Sequence, residues 1–466
     1  MRHDPYGHWL REAGTPAPAP PLRGREDADV LVVGGGLSGM WTAWFVRRLD
    51  PGARVVLLEA EPFCGRGPSG RNGGFCNSMW VSAARMRARW GDAGALAVGR
   101  AAEGAVDRIG EFCRVERVDA WFRRGGFVQV STAPAHDGAW EPALRACAAL
   151  GADEAMRPLS RAEVAERCAS PAFRAGALCP GAATVQPARL ALGLRGRLLA
   201  AGARVRESSP VRELRAGPGG VLARTPDGEV RAPRAVLATG AAAKGPRGPL
   251  SDRLTVVSSH VVATEPVPDV LERIGWTGGE AIVDSRALLD YFRTTPDGRI
   301  VFGWGGGRVA FGARLRGRAE LDPAVVAGAA ARLRAYFPDL AGRRVVHAWG
   351  GPIDASPTHL PMIVPLAGDR VFAAAGYTGN GVGPSNMLGR SLAALALDRR
   401  DESTALPFVD PAQPRLPPEP LQYLGGNAIR RALLAKESAE LASRHPSLIS
   451  RALSAIPNLI GFHIGR

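Results

Sequence analysis

The chain has 466 residues, 46% hydrophobic and 22% charged, with 58 Gly, 38 Pro and a formal charge of +15 from 59 Lys plus Arg against 44 Asp plus Glu. Near-average apolar and charged usage excludes intrinsic disorder, and Gly without a triplet period excludes a collagen-like fibre. Single cores stop growing at roughly 250–300 residues, so at least two packed units are expected. The positive charge is almost all Arg, with Lys only at Lys244 and Lys436. The Arg residues lie singly or in pairs such as Arg343-Arg344, with no basic block interleaved with aromatics, so no nucleic-acid partner is expected.

The six cysteines, Cys64, Cys76, Cys113, Cys147, Cys168 and Cys179, show neither CxxC nor Cys/His spacing. No metal site is expected, and the reduced cytoplasm is the default compartment. No stretch reaches the roughly 18–20 apolar residues of a membrane span.

Residues 1–27 are polar and Pro-rich and read as an N-terminal arm, with regular structure beginning at Asp29. Val30-Leu31-Val32-Val33 reads as a buried parallel strand, followed by Gly34-Gly35-Gly36-Leu37-Ser38-Gly39 and a helical pattern over 40–49. Pro51-Gly52 makes a turn, and a second strand over 54–58 ends at Glu59, completing a βαβ unit. After a Gly-rich stretch at 65–74, helix is expected to about Ile109, a strand at 126–130, and helices at 137–150 and 160–168. A helix over 187–201, strands near Val205 and at 211–214, a hairpin over 221–230 and a buried strand at 235–238 follow. Residues 255–312 read as mostly β. The α/β pattern then returns as a strand at 371–375, a Gly-rich loop at 376–383 and a helix at 386–397. Amphipathic stretches at 429–441 and 448–460 are expected to pack against their own chain. This alternation predicts one discontinuous domain interrupted twice by another.

A bare GxGxxG means little here, because three Gly at about one in eight over this length predicts about one match by chance. Two matches occur. The one at 65–70 contains Pro68 and lacks a directly preceding strand, so it reads as loop chemistry. The one at Gly34, Gly36 and Gly39 sits between strand and helix. There the first Gly permits a tight turn, the second lets the backbone approach a pyrophosphate, and the third lets helix and strand pack closely. Helix N–H groups then face the phosphates. Glu59, 20 residues beyond Gly39, is placed to accept hydrogen bonds from ribose hydroxyls and disfavours a 2′-phosphate. A dinucleotide site follows, with FAD and NAD not yet separated.

Ser69-Gly70-Arg71-Asn72-Gly73-Gly74-Phe75 separates them, because it resembles the flavoprotein amine oxidases of the D-amino-acid oxidase superfamily. The gamma-glutamylputrescine oxidoreductase-like branch is the nearest likeness. Thr184-Val185-Gln186-Pro187, Ala238-Thr239-Gly240 and Gly376-Tyr377-Thr378-Gly379-Asn380-Gly381-Val382 resemble further blocks of that family in the same order. The resemblance implies a mixed α/β fold: a discontinuous Rossmann-like FAD-binding domain with an interposed antiparallel-sheet substrate domain. It assigns 28–85, 181–250 and 346–425 to the first, 86–180 and 251–345 to the second, and 426–466 to a C-terminal helical tail. The implied cofactor is FAD, bound without a covalent tether, since no Cys follows Cys179 and 60–75 holds no His. Its expected contacts are Gly34, Gly36, Leu37, Ser38, Gly39, Glu59, Ala60, Ser69, Arg71, Asn72, Gly73, Gly74, Val185, Thr239, Gly240, Gly376, Gly379, Asn380, Gly381 and Val382. Arg71 would serve the flavin side, and Val185 would offer backbone groups to adenine. Asn380 stands where many relatives have His.

The implied reaction is oxidation of an amine or amino-acid-like substrate by hydride transfer to flavin N5. The imine hydrolyses, and oxygen is the expected acceptor, giving hydrogen peroxide. Some related oxidases use a Lys near N5, for which neither Lys244 nor Lys436 is an obvious match, so a dehydrogenase using another acceptor stays open. So do a monooxygenase and a tailoring flavoenzyme of specialised metabolism, although no second convincing GxGxxG offers a nicotinamide seat. Substrate-side candidates are Tyr291, Arg293, Trp349 and His359, with Trp304 and His260 behind them. Tyr291 and Arg293 lie at i and i+2 on one strand face, which would present a phenol and a guanidinium together to an oxyanion.

Overall fold

A computed structural model describes residues 2–3, 6–245, 248–409 and 412–459. The ends of the expected arm and tail, residues 1, 4, 5 and 460–466, lie outside the described residues.

Three separated stretches of chain meet in one six-stranded sheet, ordered Arg204–Arg206, Val55–Leu58, Val30–Val33, Arg234–Leu237, Val371–Ala375, Met362–Leu366. Every neighbouring pair is parallel except the last. Val30–Val33 is buried along its whole length because both faces are covered. Val30 and Val32 pack with Met40 and Trp41 of helix Leu37–Leu49. Leu31 and Val33 pack with Val221, Ala223 and Val230 of a small four-stranded sheet. That two-sided burial is why the strand reads as a continuous apolar run rather than an alternation, and each such side chain contributes about 1.5–3 kcal/mol by leaving water.

The second large sheet has nine strands, in the order Arg2–His3, Val345–Ala355, Thr255–Thr264, Ile300–Trp304, Asp290–Thr294, Ala281–Asp284, Phe127–Val130, Gly176–Cys179, Arg157–Leu159. It is mostly antiparallel, as expected, but Arg2–His3 with Val345–Ala355 and Ala281–Asp284 with Phe127–Val130 are parallel pairs. One face carries its own core of stacked aromatics, Phe292 lying 5.4 Å from Phe302. Helix Pro323–Tyr336, unmarked in the sequence reading, covers that face, its N-terminus capped by the Asp322 side chain.

The first 27 residues depart most from expectation. Helix Gly7–Ala13 buries Trp9 and Leu10, and strand Gly24–Asp27 extends the small sheet. Buried Glu207 fixes the segment between them, accepting from Ala19 N at 2.6 Å, Cys64 N at 2.7 Å and Arg195 Nε at 2.7 Å. One turn of apolar residues and a partner 188 positions away leave no local pattern to read. Helix Ala83–Val115 extends beyond its expected end, and Gly91, at φ 67°, divides it into two pieces. The late helix begins at Val382 rather than Asn386, so Asn386 is buried inside it, accepting from Arg108 Nε at 3.0 Å. The loop at 379–381 therefore sits directly on a helix N-terminus.

Candidate active site

A cleft of about 1440 Å³ runs past the carboxyl ends of the parallel strands and across to the nine-stranded sheet. Open α/β sheets bind ligands at those strand ends, and the volume exceeds the roughly 300–1,000 Å³ of an ordinary small-molecule pocket. Gly34, Gly36, Leu37, Ser38, Glu59, Ala60, Ser69, Arg71, Asn72, Gly73, Thr239, Gly240, Gly379, Asn380, Gly381 and Val382 all line it, as do Tyr291 and His359.

The first turn is built by close approach. A Cβ on Gly34, whose φ is 107°, would lie 2.5 Å from Ala238 O, and one on Gly39 would lie 1.9 Å from Gly34 O. Gly39 thus lets the helix and the strand pack and stays behind the cleft wall. A Cβ on Gly36 would fall 2.9 Å from Ser69 Oγ, which accepts from Leu37 N at 2.8 Å. The loop at 65–74 is thereby fastened to the helix N-terminus, and Gly65 N donates to Gly35 O at 2.9 Å. The second GxGxxG is loop chemistry, with a short helical turn at Pro68–Gly70.

Glu59 accepts from Gly35 N at 2.6 Å and from Glu61 N at 2.8 Å, one on each carboxylate oxygen. Burial raises its pKa to about 7, opposed by the backbone N–H groups of Gly35 and Ala60. Each oxygen keeps lone-pair capacity for a further donor. At the opposite wall, Ser38 Oγ donates to Tyr377 Oη at 2.7 Å, joining the first Gly turn to the late loop. Asp354, which the sequence reading passed over, ends strand Val345–Ala355 and accepts from Gly376 N at 2.7 Å. Burial raises its carboxyl to about 6, opposed by backbone N–H groups including that of Tyr377. Gly376, at φ 80°, is packed behind the loop and does not line the cleft.

Several expected contacts are corrected. Val185 is fully buried, with its N–H donated to Gly74 O and its carbonyl bound by the Arg293 guanidinium, and it does not line the cleft. Gly74 is likewise internal, since a Cβ there would lie 2.2 Å from Val185 O. Arg293 does not pair with Tyr291 toward a ligand. Its guanidinium is 1% exposed, bonds the carbonyls of Gly74, Val185 and Thr294, and lies 5.8 Å from the Trp9 ring. Desolvation lowers its pKa to about 9. Its strand face looks inward onto the chain at Gly74 and Val185, whose carbonyls take up its donors.

Trp349 is also structural, donating from Nε1 to Arg71 O at 2.8 Å, while Trp9 donates to Asn72 O at 2.9 Å. Two indoles thus hold the loop that carries Arg71 and Asn72. Asn72 Oδ1 in turn accepts from Gly74 N at 2.8 Å. The Arg71 side chain faces the cleft and lies 3.8 Å from Glu320 Oε1. His260 is buried, accepts from Asp322 N at 2.8 Å, and is lowered to about 4 by burial, so it is a neutral structural imidazole. Trp304 bonds Leu288 O at 3.2 Å and has Arg332 over its ring at 4.4 Å. His359 has left-handed backbone at φ 53° and remains on the cleft wall.

Tyr291 Oη lies 2.8 Å from Ser259 Oγ, which donates to Trp304 O. Burial lifts the phenol to about 12, so it is protonated at neutral pH. A further part of the wall was expected as helical tail but not as site: helix Leu421–Leu441 contributes Leu421, Gln422, Gly425, Gly426, Ile429, Arg430 and Leu433. Its sequence showed amphipathic spacing, but nothing in it specified which surface the apolar face covers.

The arrangement suits a flavin dinucleotide: a Gly turn that a Cβ would fill, a half-buried carboxyl for ribose, and a second loop on a helix N-terminus. The family described as DAO, FAD dependent oxidoreductase, matches residues 29–395. The probable oxidoreductase OrdL of Rhizobium meliloti (strain 1021) is 28% identical over 426 residues, covering 89% of this chain and 91% of that protein. The gamma-glutamylputrescine oxidoreductase of Escherichia coli (strain K12) is 28% identical over 403 residues, covering 85% and 89%. Among solved structures, glycine oxidase from Geobacillus kaustophilus superposes with a TM-score of 0.68 at 21% identity, over 82% of this chain and 98% of that one. Among the described residues, no helix is long and apolar enough to cross a membrane.

Proposed function

Because the chain belongs to the FAD dependent oxidoreductase (DAO) family, we propose that it oxidises the nitrogen-bearing carbon of an amine or amino-acid-like substrate, releasing an imine that hydrolyses. The observation that carries this reading is a single cleft lined both by the Gly34 turn with Glu59 and by Tyr291 of the second sheet. A dinucleotide seat and a substrate wall are thus continuous. The relatives' activities, oxidation of gamma-glutamylputrescine and of glycine by their names, support a nitrogen-bearing substrate.

In this reading segments 28–85, 181–250 and 346–425 hold the cofactor, except that strand Val345–Ala355 belongs to the nine-stranded sheet, and 86–180 with 251–345 hold the substrate. Bound FAD supplies the two-electron acceptor for the hydride. Glu59 would accept from ribose hydroxyls, while Gly34, Gly36 and the first turn of helix Leu37–Leu49 would hold the pyrophosphate. The loop from Gly379 to Val382, at a helix N-terminus, would offer N–H groups not already spent within it, as Asn380 N is on Tyr377 O at 2.9 Å, to negative charge developing on reduction. Ser38 and Tyr377 keep the two loops in register. Tyr291, held by Ser259 and neutral, orients the amine, and His359 closes the same wall. No protein nucleophile is needed.

Dissociable FAD belongs to the same reading, since no Cys follows Cys179 and residues 60–75 hold no His, and so does a cytoplasmic setting, with which six described cysteines that form no disulfide agree. Oxygen is the proposed acceptor. A dehydrogenase is the second reading, favoured by Lys244, whose Nζ is tied to Gln422 Oε1 at 2.6 Å rather than presented freely to a cofactor. The test is anaerobic bleaching of the purified yellow protein across an amine panel, then readmission of oxygen. Colourless protein that takes up no FAD, or flavin that no amine bleaches, overturns the proposal; bleached flavin that oxygen does not restore selects the dehydrogenase.

A further inference from the structure

Helix Leu421–Leu441 lies beyond the residues matched to the family, yet it walls the cleft. Its contribution follows helix periodicity: Leu421, Gly425, Ile429 and Leu433 form one row at i+4 spacing, and Gln422, Gly426 and Arg430 the adjacent row. Three contacts seat it. Gln422 Oε1 accepts from Lys244 Nζ, a Cβ on Gly426 would lie 2.8 Å from Val309 Cγ2, and Glu437 Oε1 accepts from Leu288 N at 2.8 Å.

Arg430 is half-buried on this wall. Its Nε donates to Gly306 O at 2.8 Å and Gly307 O at 2.9 Å, and a terminal N–H donates to Gly306 O at 2.5 Å. These carbonyls fix its direction without neutralising it. Among the described residues Arg430 has no carboxylate within 4.0 Å, whereas buried Arg195 and Arg286 face Glu207 and Asp284 at 2.7 and 2.8 Å. The nearest acid acting on it, Asp322, is itself paired to Arg308 at 2.8 Å, and Arg308 and Arg431 add positive charge beside it. A directed, partly desolvated guanidinium without its own ion pair on a ligand cleft is matched by an oxyanion, to which a planar fork binds with two parallel bonds.

We infer that Arg430 binds an anionic group of the substrate, so that the substrate is an amine carrying a carboxylate or similar oxyanion. Ile429, Leu433, Leu289 and Val309, all on the cleft wall, cover the apolar segment that joins the two ends. The inference rests on the oxidoreductase reading. It moves the anion contact from the nine-stranded sheet, where Arg293 is consumed by backbone carbonyls, to the C-terminal helix.

The test is calorimetric titration of the flavin-loaded protein with butyrate and with butyramide, its uncharged counterpart. Wild type should bind butyrate at least tenfold more tightly, about 1.4 kcal/mol. Arg430→Gln keeps N–H donors for Gly306 and Gly307 but loses the charge, and should abolish the preference, whereas Arg430→Lys should retain part of it. A Cβ on Gly425 meets no protein atom within 4 Å, so Gly425→Leu should block butyrate while flavin content stays unchanged. The proposal is overturned if wild type binds the two probes equally, if Arg430→Gln keeps the preference, or if Gly425→Leu binds butyrate as wild type does. Protein lacking a flavin spectrum would instead sink the oxidoreductase reading, and calorimetry would still read the anion site.

Discussion

Glu59 permits a quantitative test of the cofactor seat. In the cofactor-free chain burial holds its pKa near 7 instead of the ordinary 4.5, even with N–H groups of Gly35 and Glu61 on its two oxygens. Ribose hydroxyls donating to the same carboxylate favour its charged form, so binding must expel the proton that the free protein holds below pH 7. At about 1.4 kcal/mol per pKa unit, full restoration of the ordinary value would be worth up to roughly 3 kcal/mol, or about 300-fold in affinity. FAD affinity should therefore be flat above pH about 7 and fall by up to tenfold per unit below it, about 30-fold by pH 5.5. The linkage to folding has the opposite sense: with a raised carboxyl pKa, the cofactor-free fold loses stability as pH rises from about 4.5 to about 7, where only the unfolded chain is ionised. The assay is quenching of flavin fluorescence on titrating cofactor-free protein, at pH values from about 5.5 to 8.5, with Glu59→Gln alongside. The variant should bind more weakly at pH 8 and show no such slope. A wild-type affinity constant down to pH 5.5, or an identical slope in both proteins, would refute the assignment of Glu59 to the ribose.

Three further outcomes follow from the same geometry. Gly39→Ala places a methyl 1.9 Å from Gly34 O, which forces the helix from the strand; it should cost roughly 1–3 kcal/mol and reduce flavin retained on purification, read by the ratio of flavin to protein absorbance. Arg293→Met removes donors from the Gly74, Val185 and Thr294 carbonyls at about 1–3 kcal/mol for each carbonyl left unpaired. It should lower Tm and flavin content while leaving any preference for anionic over neutral amines intact; loss of that preference in a folded, flavin-loaded variant would return Arg293 to the substrate site. Gly425→Ala adds a methyl in open space within a helix and should stabilise it by up to about 1 kcal/mol, so a raised Tm at unchanged flavin content is expected, and a lowered Tm would mean that the cleft is closed there.

Local pattern carried the cofactor half of this protein. The Gly34, Gly36 and Gly39 spacing, the apolar run before it and the acid ending the next strand are contiguous constraints, since a turn, a phosphate approach and a ribose contact all fall within one βαβ unit. The SGRNGG loop and the late Gly loop were legible through their resemblance to the family's blocks, and the structure shows why Gly73 and Gly74 are needed, since a Cβ there would meet Tyr291 at 2.7 Å and Val185 O at 2.2 Å. The substrate half was less so. Tyr291 and Arg293 share a strand and a face, yet one reaches the cleft and the other is absorbed by carbonyls from residues 108 and 219 positions away. Alternation along a strand fixes the side on which a residue projects, and only the loop crossing above it decides whether that side meets ligand or backbone. Helix Gly7–Ala13, anchored through Trp9 on Asn72, and helix Leu421–Leu441, laid over the cleft, show the same division. The sequence alone determined the first βαβ unit, most of the long helices and where a dinucleotide turn lies, because those depend on neighbours within a few residues, whereas helices Gly7–Ala13 and Pro323–Tyr336 left no local pattern to read. Only the tertiary structure decided which cations on the cleft lack an ion pair of their own, because ion pairing depends on partners brought from distant parts of the chain.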